Sequence, residues 1–369
     1  MPLKYKCQIC NRELGFEGIC YKCQAKKAID DALALTEEQI KERQRYLVEH
    51  LQELYDLQDP AYTYFWECLS YHGIVSKTLQ RVAVRSGVFY PFEIYYHAPE
   101  DVRNMLLEKL MSAEDTLEAS NLLRCLAMQG DDVTLGAFYK LKKEPLECMK
   151  GLYVGTDVYA REGGWSFDSA GKRLKVNYDK CYNIEKKNTG DTAVVIGKTR
   201  KDTCPHCGGK LVDILSVDAD DGRLDFLGAK GKITATCCPS CICFTGMGFG
   251  RYSPDGTGEA CFPYAGLKDD EENCLAEENY EDLANNGLEL GAKEVPLFYG
   301  ANDWGAVTLG GYAHWIQDCN IIDCPDCGKP MRYLAQLSWE SIMNDFCEGT
   351  LYVEVCPDCH VVSMQHHQT

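Results

Sequence analysis

The sequence predicts an α+β protein, because a helical first part is followed by a strand-rich second part. Six Cys-x-x-Cys pairs are also expected to bring separate segments of the chain together at shared sites. The 369 residues are enough for two or three domains. We place a cysteine knuckle at residues 1–24, a helical domain at 25–150 and a duplicated antiparallel β domain at 151–369. The first segment is too short to build an apolar core of its own.

Helical patterning begins near residue 25. Thr36 and Gln39 have the spacing of a capping box ahead of a face of recurring apolar residues. Ser112 with Asp115 is predicted to cap a later helix. The stretch LLRCLAMQGDDVTLGAFYKL resembles a HEAT-type helical repeat, so we expect short antiparallel helix pairs in this part.

Strand patterning dominates beyond residue 150. Aromatic and β-branched residues between Gly and Asp turns indicate an antiparallel sheet, and the candidate strands include LYVGTDVYA at 152–160, GWSFD, KRLKVNY and TAVVIGK. Ten acidic residues lie among residues 268–294, and we interpret this insertion as a solvated helix or loop. We interpret His366 and His367 as part of a disordered tail.

Cysteine is unusually frequent, with 22 residues of which twelve lie in the six pairs. The N-terminus has no apolar run that would serve as a signal sequence, and no segment offers the about 20 apolar residues that span a bilayer. We therefore expect a cytoplasmic protein without membrane association. In a reducing compartment, cysteines at this spacing indicate metal sites rather than disulfides.

The six pairs are predicted to combine into three four-cysteine sites. The last two sites repeat one plan, since 30 residues separate the pairs in one copy and 28 in the other. In each copy, strands between two CPxC turns would form a hairpin closed by a metal, which is a zinc ribbon. Cys237 and Cys243 remain possible substitutes as ligands, whereas Cys125 and Cys148 are expected to be buried apolar residues. The predicted ligands are Cys7, Cys10, Cys20, Cys23, Cys204, Cys207, Cys238, Cys241, Cys324, Cys327, Cys356 and Cys359.

Zinc is the predicted metal, with about three ions per chain, because four thiolates complete a tetrahedral coordination sphere. A rubredoxin-like iron site is the alternative, since the same paired knuckles suit iron. The CPHC at 204–207 also matches a dithiol redox motif, but a strand rather than a helix is expected to follow it. The CPDCH at 356–360 matches a haem-attachment motif, whose use normally requires export.

One segment carries a family resemblance. Residues 309–337, with Gly310, Gly311, Trp315 and Gln336, resemble the bacterial YwqG-like family and, more distantly, the C-terminal domain of the programmed-cell-death-two proteins. Ala313 stands where these families have proline. The resemblance covers about residues 151–369 and implies a pseudo-twofold β domain. In the eukaryotic relatives it also implies a chaperone that holds a ribosomal protein, whereas it implies no established activity for the bacterial ones.

No catalytic constellation is present: the eight histidines are scattered, and GMGFG at 246–250 lacks the strand-turn-helix context of a phosphate loop. The net charge is +2 over residues 1–23, −6 over 24–150 and −14 over 151–369, which disfavours nucleic acid and suits a basic protein partner. We therefore expect a non-enzymatic, zinc-stabilised protein-binding or chaperone-like adaptor. The alternatives are a rubredoxin-like iron electron-transfer protein or an enzyme of unrecognised type.

Aromatic residues are expected mainly in the core. Trp304, Trp315 and Trp339 lie near the second ribbon, and an exposed subset of aromatic side chains would form a protein-binding groove between the two β halves.

Overall fold

The computed structural model describes residues 5–187, 189–262, 264, 273–303, 305–343 and 348–368. It confirms the α+β class, with a helical first part and antiparallel sheets in the second. The helices are α1 (Tyr21–Leu33), α2 (Glu37–Glu49), α3 (Pro60–Trp66), α4 (Lys77–Ser86), α5 (Glu100–Met111), α6 (Thr116–Gln129), α7 (Asp132–Lys143), α8 (Thr156–Tyr159), α9 (Pro239–Thr245), α10 (Glu277–Ala284) and α11 (Trp339–Ile342).

The strands form four antiparallel sheets among the described residues. They are β1 (Tyr5–Lys6), β2 (Glu13–Leu14), β3 (Trp165–Phe167), β4 (Arg173–Lys175), β5 (Cys181–Lys186), β6 (Val194–Thr203), β7 (Lys210–Asp218), β8 (Lys232–Cys237), β9 (Met247–Tyr252), β10 (Gly258–Cys261), β11 (Leu288–Leu290), β12 (Val307–Gly310), β13 (Arg332–Ser338), β14 (Thr350–Cys356) and β15 (Val361–His367). The largest sheet has the order β10-β9-β15-β14-β13-β12-β5-β11, while β6-β7-β8 form a three-stranded sheet. The pairs β1-β2 and β3-β4 stand alone.

Local capping explains where several helices begin. The predicted capping box at α2 is confirmed, since the Gln39 N–H donates to Thr36 Oγ1 and the Thr36 N–H donates to Gln39 Oε1. The prediction for α6 was half wrong. Asp115 alone caps it by accepting from the Glu118 N–H at 2.9 Å. Ser112 instead ends α5, where its hydroxyl donates back to a carbonyl of the preceding turn.

The helical part has its own apolar core, which extends into the second part. Phe65, Leu122 and Phe138 are almost fully buried there, and Trp165 and Phe298 from beyond residue 150 pack against the same core. The division into domains therefore stays a prediction, because side chains cross the proposed boundary.

The predicted strand at 152–160 is wrong. Its alternation of apolar residues suits a strand, but the segment contains α8, followed by a 3₁₀ turn at Ala160–Gly163. Thr156 accounts for a helix rather than a strand here. Its buried hydroxyl donates to the Phe138 carbonyl at 2.7 Å and so holds the segment against α7.

The predicted duplication is present in the strand register. The first cysteine hairpin is β7-β8 and the second is β13-β14. In the first, Val212 pairs with Cys237, and in the second, Arg332 pairs with Val355. Each of these pairs joins the residue eight positions after the first cysteine to the residue before the third. An irregularity in pairing follows at the same place, at Ile214 in one hairpin and Leu334 in the other.

The repeat extends to a third strand in each copy. The sequence analysis predicted the strand at TAVVIGK but did not assign it to the repeat. Strand β6 pairs with β7 through Val194 and Val217, and β12 pairs with β13 through Val307 and Leu337. Val217 and Leu337 stand at the same distance after the first cysteine of their hairpins. The sequence signal is the likeness of VVIG to VTLG. Both segments end in a glycine with φ near +75°, and a Cβ there would meet a carbonyl oxygen of another segment at 2.2–2.3 Å.

The C-terminal strand corrects the expectation of a disordered tail. His366 and His367 belong to β15 and are only 6% exposed, and the Trp339 indole N–H donates to His366 Nδ1 at 2.9 Å. Pairing with both β14 and β9 holds this strand inside the large sheet. Trp304 lies outside the described residues, while Trp339 is fully buried.

The acidic insertion is helical in its later half. Residues 265–272 lie outside the described residues, and α10 follows with Tyr280 and Leu283 buried and its acidic side chains facing outward. The segment GMGFG is part of β9 and so packs within the large sheet. Of the helices in the described ranges, none combines the length and apolar character needed to cross a membrane.

Candidate metal centres

The twelve predicted ligand cysteines come together in three clusters of four. In each cluster the four sulfur atoms all lie within 4.8 Å of one another. We call them the N-terminal cluster (Cys7, Cys10, Cys20, Cys23), the first-hairpin cluster (Cys204, Cys207, Cys238, Cys241) and the second-hairpin cluster (Cys324, Cys327, Cys356, Cys359).

The first cysteine pair of every cluster sits in the same type of turn. The N–H of the first cysteine donates to the carbonyl five residues later, and that cysteine's own carbonyl accepts from the N–H four residues later. The flanking residues close the turn by strand pairing, as Lys6 with Glu13, Thr203 with Lys210 and Asp323 with Pro330. Local hydrogen bonds therefore specify the shape of the turn that carries the first cysteine pair of each cluster, which we call the first knuckle.

A left-handed residue follows the second cysteine of each first knuckle. Asn11, Gly208 and Gly328 have φ of +60°, +73° and +67°, and His360 repeats this after the last pair with φ of +55°. Asparagine and glycine tolerate this conformation, which turns the chain back after the second sulfur is placed.

The second pairs differ among the clusters. Cys20 and Cys238 occupy the N-cap positions of α1 and α9, whereas Cys356 ends β14 and the chain continues through a turn into β15. Both second pairs have proline after their first cysteine, at Pro239 and Pro357, so proline alone does not account for this difference.

Sulfur separations fit a tetrahedral ion. Zn–S bonds of about 2.3 Å in a tetrahedron place sulfurs about 3.8 Å apart. The observed pairs between opposing knuckles are Cys10–Cys20 at 3.6 Å, Cys204–Cys241 at 3.7 Å, Cys207–Cys238 at 3.5 Å and Cys327–Cys356 at 3.8 Å. A disulfide would require about 2.05 Å. The geometry thus suits four sulfurs around one ion.

One thiol in each cluster is biased toward the thiolate. Hydrogen bonds from the Cys10 backbone lower the pKa of Cys7 to about 6. The side chain of Cys241 donates to Cys238 and lowers its pKa to about 6. A backbone N–H two residues on lowers the pKa of Cys327. Such donors stabilise a charged sulfur and so prepare it for a cation.

Other thiols in the clusters resist ionisation. Hydrogen bonding with Cys20 raises the pKa of Cys23 to about 12, burial raises that of Cys207 to about 12, and hydrogen bonding with Cys327 raises that of Cys359 to about 11. Several negative sulfurs cannot share so small a space without a compensating positive charge. A divalent ion would supply that charge and release protons on binding.

The burial pattern is shared by all six pairs. The first cysteine of every pair is buried, and the most exposed sulfur is Cys10, Cys207 or Cys327, the second member of each first knuckle. Four protein ligands would complete a tetrahedral sphere, which gives a structural rather than a catalytic centre.

The remaining cysteines lie outside the clusters in the described part of the chain. Cys237 is fully buried in the core of the β part, and Cys243 packs against that core, so neither replaces a member of the first-hairpin cluster in this arrangement. Cys125 is buried with its thiol directed at the Phe89 carbonyl, and Cys148 is half-buried beside the helical core.

The fold and the clusters define an α+β protein with three four-cysteine sites suited to structural metal ions. The chain is 29% identical over 283 residues to an uncharacterized protein of Salmonella typhimurium, YpfL, an alignment that covers 74% of this chain and 64% of the relative. The chain thus spans less than two thirds of that relative's length. No protein-family model matches the chain, and no solved structure matches it. The resemblance to the YwqG-like family stays a prediction.

Proposed function

We propose that each cluster binds one zinc ion and that the protein is a non-enzymatic, zinc-stabilised adaptor that binds another protein in a chaperone-like manner. The observation that carries this proposal is the closed set of four sulfurs in each cluster, which leaves no coordination position for substrate or water. Zinc is preferred to iron because it needs no redox partner and is the common ion of closed Cys₄ sites.

The positions of the clusters support a structural role. The N-terminal cluster joins residues 7–10 to the start of α1, and the two hairpin clusters clamp the open ends of β7-β8 and β13-β14. Metal binding at these points would contribute folding energy. A reducing cytoplasm, which we propose as the location, keeps such thiols available as ligands.

Surface charge supports a basic protein as the partner. Residues 151–369 carry a net charge of −14, and Glu278 and Glu281 are exposed on α10. An acidic surface speeds encounter with a basic protein and repels nucleic acid, and its effect falls as salt screens the charges. The family resemblance, which implies a chaperone in the eukaryotic relatives, favours the same role.

Elemental analysis of protein purified without added metal tests the first half of the proposal. Three zinc ions per chain and a colourless protein are expected. A red protein that contains iron and shows thiolate charge-transfer bands would replace this function with rubredoxin-like electron transfer.

Affinity capture at low and high salt tests the second half. Capture of a basic protein that is lost at high salt is expected, and Glu278→Gln with Glu281→Gln should weaken it. The matched control is Glu108→Gln with Glu144→Gln, which removes two exposed charges from the helical part. Absence of any salt-sensitive partner, together with turnover in a hydrolase or redox screen, would favour an enzyme.

A further inference from the structure

A pocket of about 230 Å³ lies where the helical part meets the loops of the β part. Its walls combine aromatic and polar side chains from residues far apart in the sequence. They include Tyr62, Trp66, Tyr90, Phe92, Tyr312 and Trp315. We call it the junction pocket. It is separate from the three cysteine clusters, because none of the twelve cysteines lines it.

Three acidic side chains, Glu93, Glu162 and Asp318, also line the junction pocket. The Glu162 side chain is 12% exposed and its Oε1 lies 3.4 Å from Arg124 Nε, while the same guanidinium donates to Asp318 at 3.1 Å. Of the residues that the structure describes, none donates a side-chain hydrogen bond to Glu93. Arg124 is thus the single arginine among the described lining residues, beside three acidic side chains.

Close packing fixes the position of Glu162. The next residue, Gly163, rests on α6 so tightly that a Cβ would lie 1.9 Å from the Ala127 carbonyl oxygen. Ala127 lies about one helical turn after Arg124, so this contact brings Glu162 beside the guanidinium. The site is thus built by rigid elements rather than by mobile side chains.

The pKa values of Glu93 and Glu162 are raised mainly by burial. Burial raises the pKa of Glu93 to about 8, and the nearby Glu162 carboxylate adds to the increase. Burial raises the pKa of Glu162 to about 7, with a further contribution from Asp318. In both cases Arg124 opposes the shift without cancelling it. A bound cation would favour the charged form of both groups.

We propose that the junction pocket binds an organic cation, namely an alkylammonium or guanidinium group. Aromatic faces attract such cations through their quadrupoles, and buried carboxylates neutralise them. A cation–π contact is already present in the wall, since the Arg124 guanidinium lies 5.7 Å from the centre of the Phe92 ring. An anion would meet the acidic side chains. A bare metal ion is disfavoured because, in the described part of the chain, no three His, Cys, Asp or Glu side chains of this pocket converge closely enough to hold one.

The cation has two possible sources with the same chemistry. It is either a small free amine or the side chain of a lysine or arginine in a protein, and only the second source rests on the function proposed above. The volume of the junction pocket suits one such side chain or a small amine, and does not suit a folded segment.

Calorimetric titration of the full-length, metal-loaded protein tests the proposal. The probes are butylammonium and butylguanidinium, with butan-1-ol as the neutral control. The peptides acetyl-Gly-Lys-Gly-amide and acetyl-Gly-Arg-Gly-amide test whether a basic side chain can be the cation. Acetyl-Gly-Gln-Gly-amide is their neutral control. Both cations are expected to bind at least tenfold more tightly than butan-1-ol. Binding of the basic peptides indicates that the cation is a lysine or arginine side chain. Binding of butylammonium or butylguanidinium without the peptides indicates a small free cation.

Isosteric variants assign the site. The double variant Glu93→Gln with Glu162→Gln should bind the cations at least tenfold more weakly, and it should fold because it removes buried charge. Tyr90→Leu, at a half-exposed wall, should weaken binding several-fold, whereas Glu108→Gln on the outer face of α5 should not change it. Cations that bind no better than butan-1-ol, or equal affinity in the double variant, would overturn the proposal. Binding of a small amine needs no protein partner. Failure to capture a partner protein would therefore not contradict cation binding in the junction pocket.

Discussion

The Gln336 side chain accepts a hydrogen bond from the His314 backbone N–H at 2.8 Å. The same amide donates to the carbonyls of Gly300 and Ala306 at 3.2 and 3.3 Å, and the residue is 1% exposed. One side chain on β13 thus holds two loops, and the loop after β12 carries Trp315 into the junction pocket. This is a structural reason for glutamine at a position that the family resemblance singled out.

Replacing Gln336 with Met should lower the free energy of unfolding by about 3 kcal/mol or more. Three buried backbone groups lose their partners, and each unsatisfied group costs about 1–3 kcal/mol. Chemical denaturation measures the change. Gln317→Met is the control, because Gln317 makes one exposed hydrogen bond of 3.3 Å, and a cost as large there would contradict this account.

The cysteine turns and hairpins were predictable because their signals are local. The spacing of Cys204, Cys207, Cys238 and Cys241 implies a closed loop with strands between the pairs, and the structure has that hairpin. The segment 152–160 was not predictable in this way. Its apolar alternation suits a strand, and the contact that makes it helical is between Thr156 and a carbonyl on α7.

The junction pocket could not be predicted from any single stretch of the sequence. Tyr62, Glu93, Arg124, Glu162 and Trp315 belong to five separate segments, and only the packing of the helical part on the β loops brings them together. Neither carboxylate belongs to a recognisable motif, so burial, which depends on the whole fold, is what distinguishes them. The same holds for His366, whose position at the end of the chain suggested disorder until β9 and β14 enclosed it.

Cys327→Ser and Cys356→Ser should each destabilise the protein by several kcal/mol, because metal binding at a closed site contributes folding energy. Cys125→Ser should cost less, since a serine hydroxyl there can donate to the Phe89 carbonyl that the thiol now faces. Cys148→Ser, at a half-buried position, should also be mild. Thermal denaturation with metal content measured on each variant checks this. Equal sensitivity at all four positions would speak against the cluster assignment.

The raised pKa values of Glu93 and Glu162 predict a dependence of stability on pH. A carboxyl whose folded pKa exceeds its unfolded value stabilises the protein fully below the unfolded pKa and loses that contribution as the pH rises through the folded pKa. With ordinary values near 4.5 and folded values of about 8 and about 7, the loss falls between pH 5 and 8. Its slope is at most about 1.4 kcal/mol per pH unit for each group.

Other titratable groups of the junction pocket are the same in the wild type and in the double variant. Burial raises the pKa values of Tyr62 and Tyr90 from their ordinary value, away from this window, and burial lowers the pKa of His314. The remaining charged or ionisable groups there are Arg124, Tyr312, Asp318 and Cys319. Denaturation of the wild type and of Glu93→Gln with Glu162→Gln should give nearly equal stability at pH 5 and a growing advantage for the variant toward pH 8. A constant difference across this range would show that the two carboxyls do not titrate there.

Two glycine-to-alanine changes, Gly163→Ala and Gly136→Ala, should act in opposite directions. Gly163→Ala would place a Cβ 1.9 Å from the Ala127 carbonyl oxygen, so the turn at 160–163 must move away from α6. We expect a loss of about 3 kcal/mol, similar to overpacking a tight core, and weaker cation binding because Glu162 moves with the turn. Gly136→Ala, within α7 and with open space around its Cβ, should instead add about 0.5–1 kcal/mol through helix propensity. Urea denaturation with butylammonium titration of both variants separates the two effects. Unchanged stability and unchanged binding in Gly163→Ala would mean that the close contact with α6 does not position Glu162.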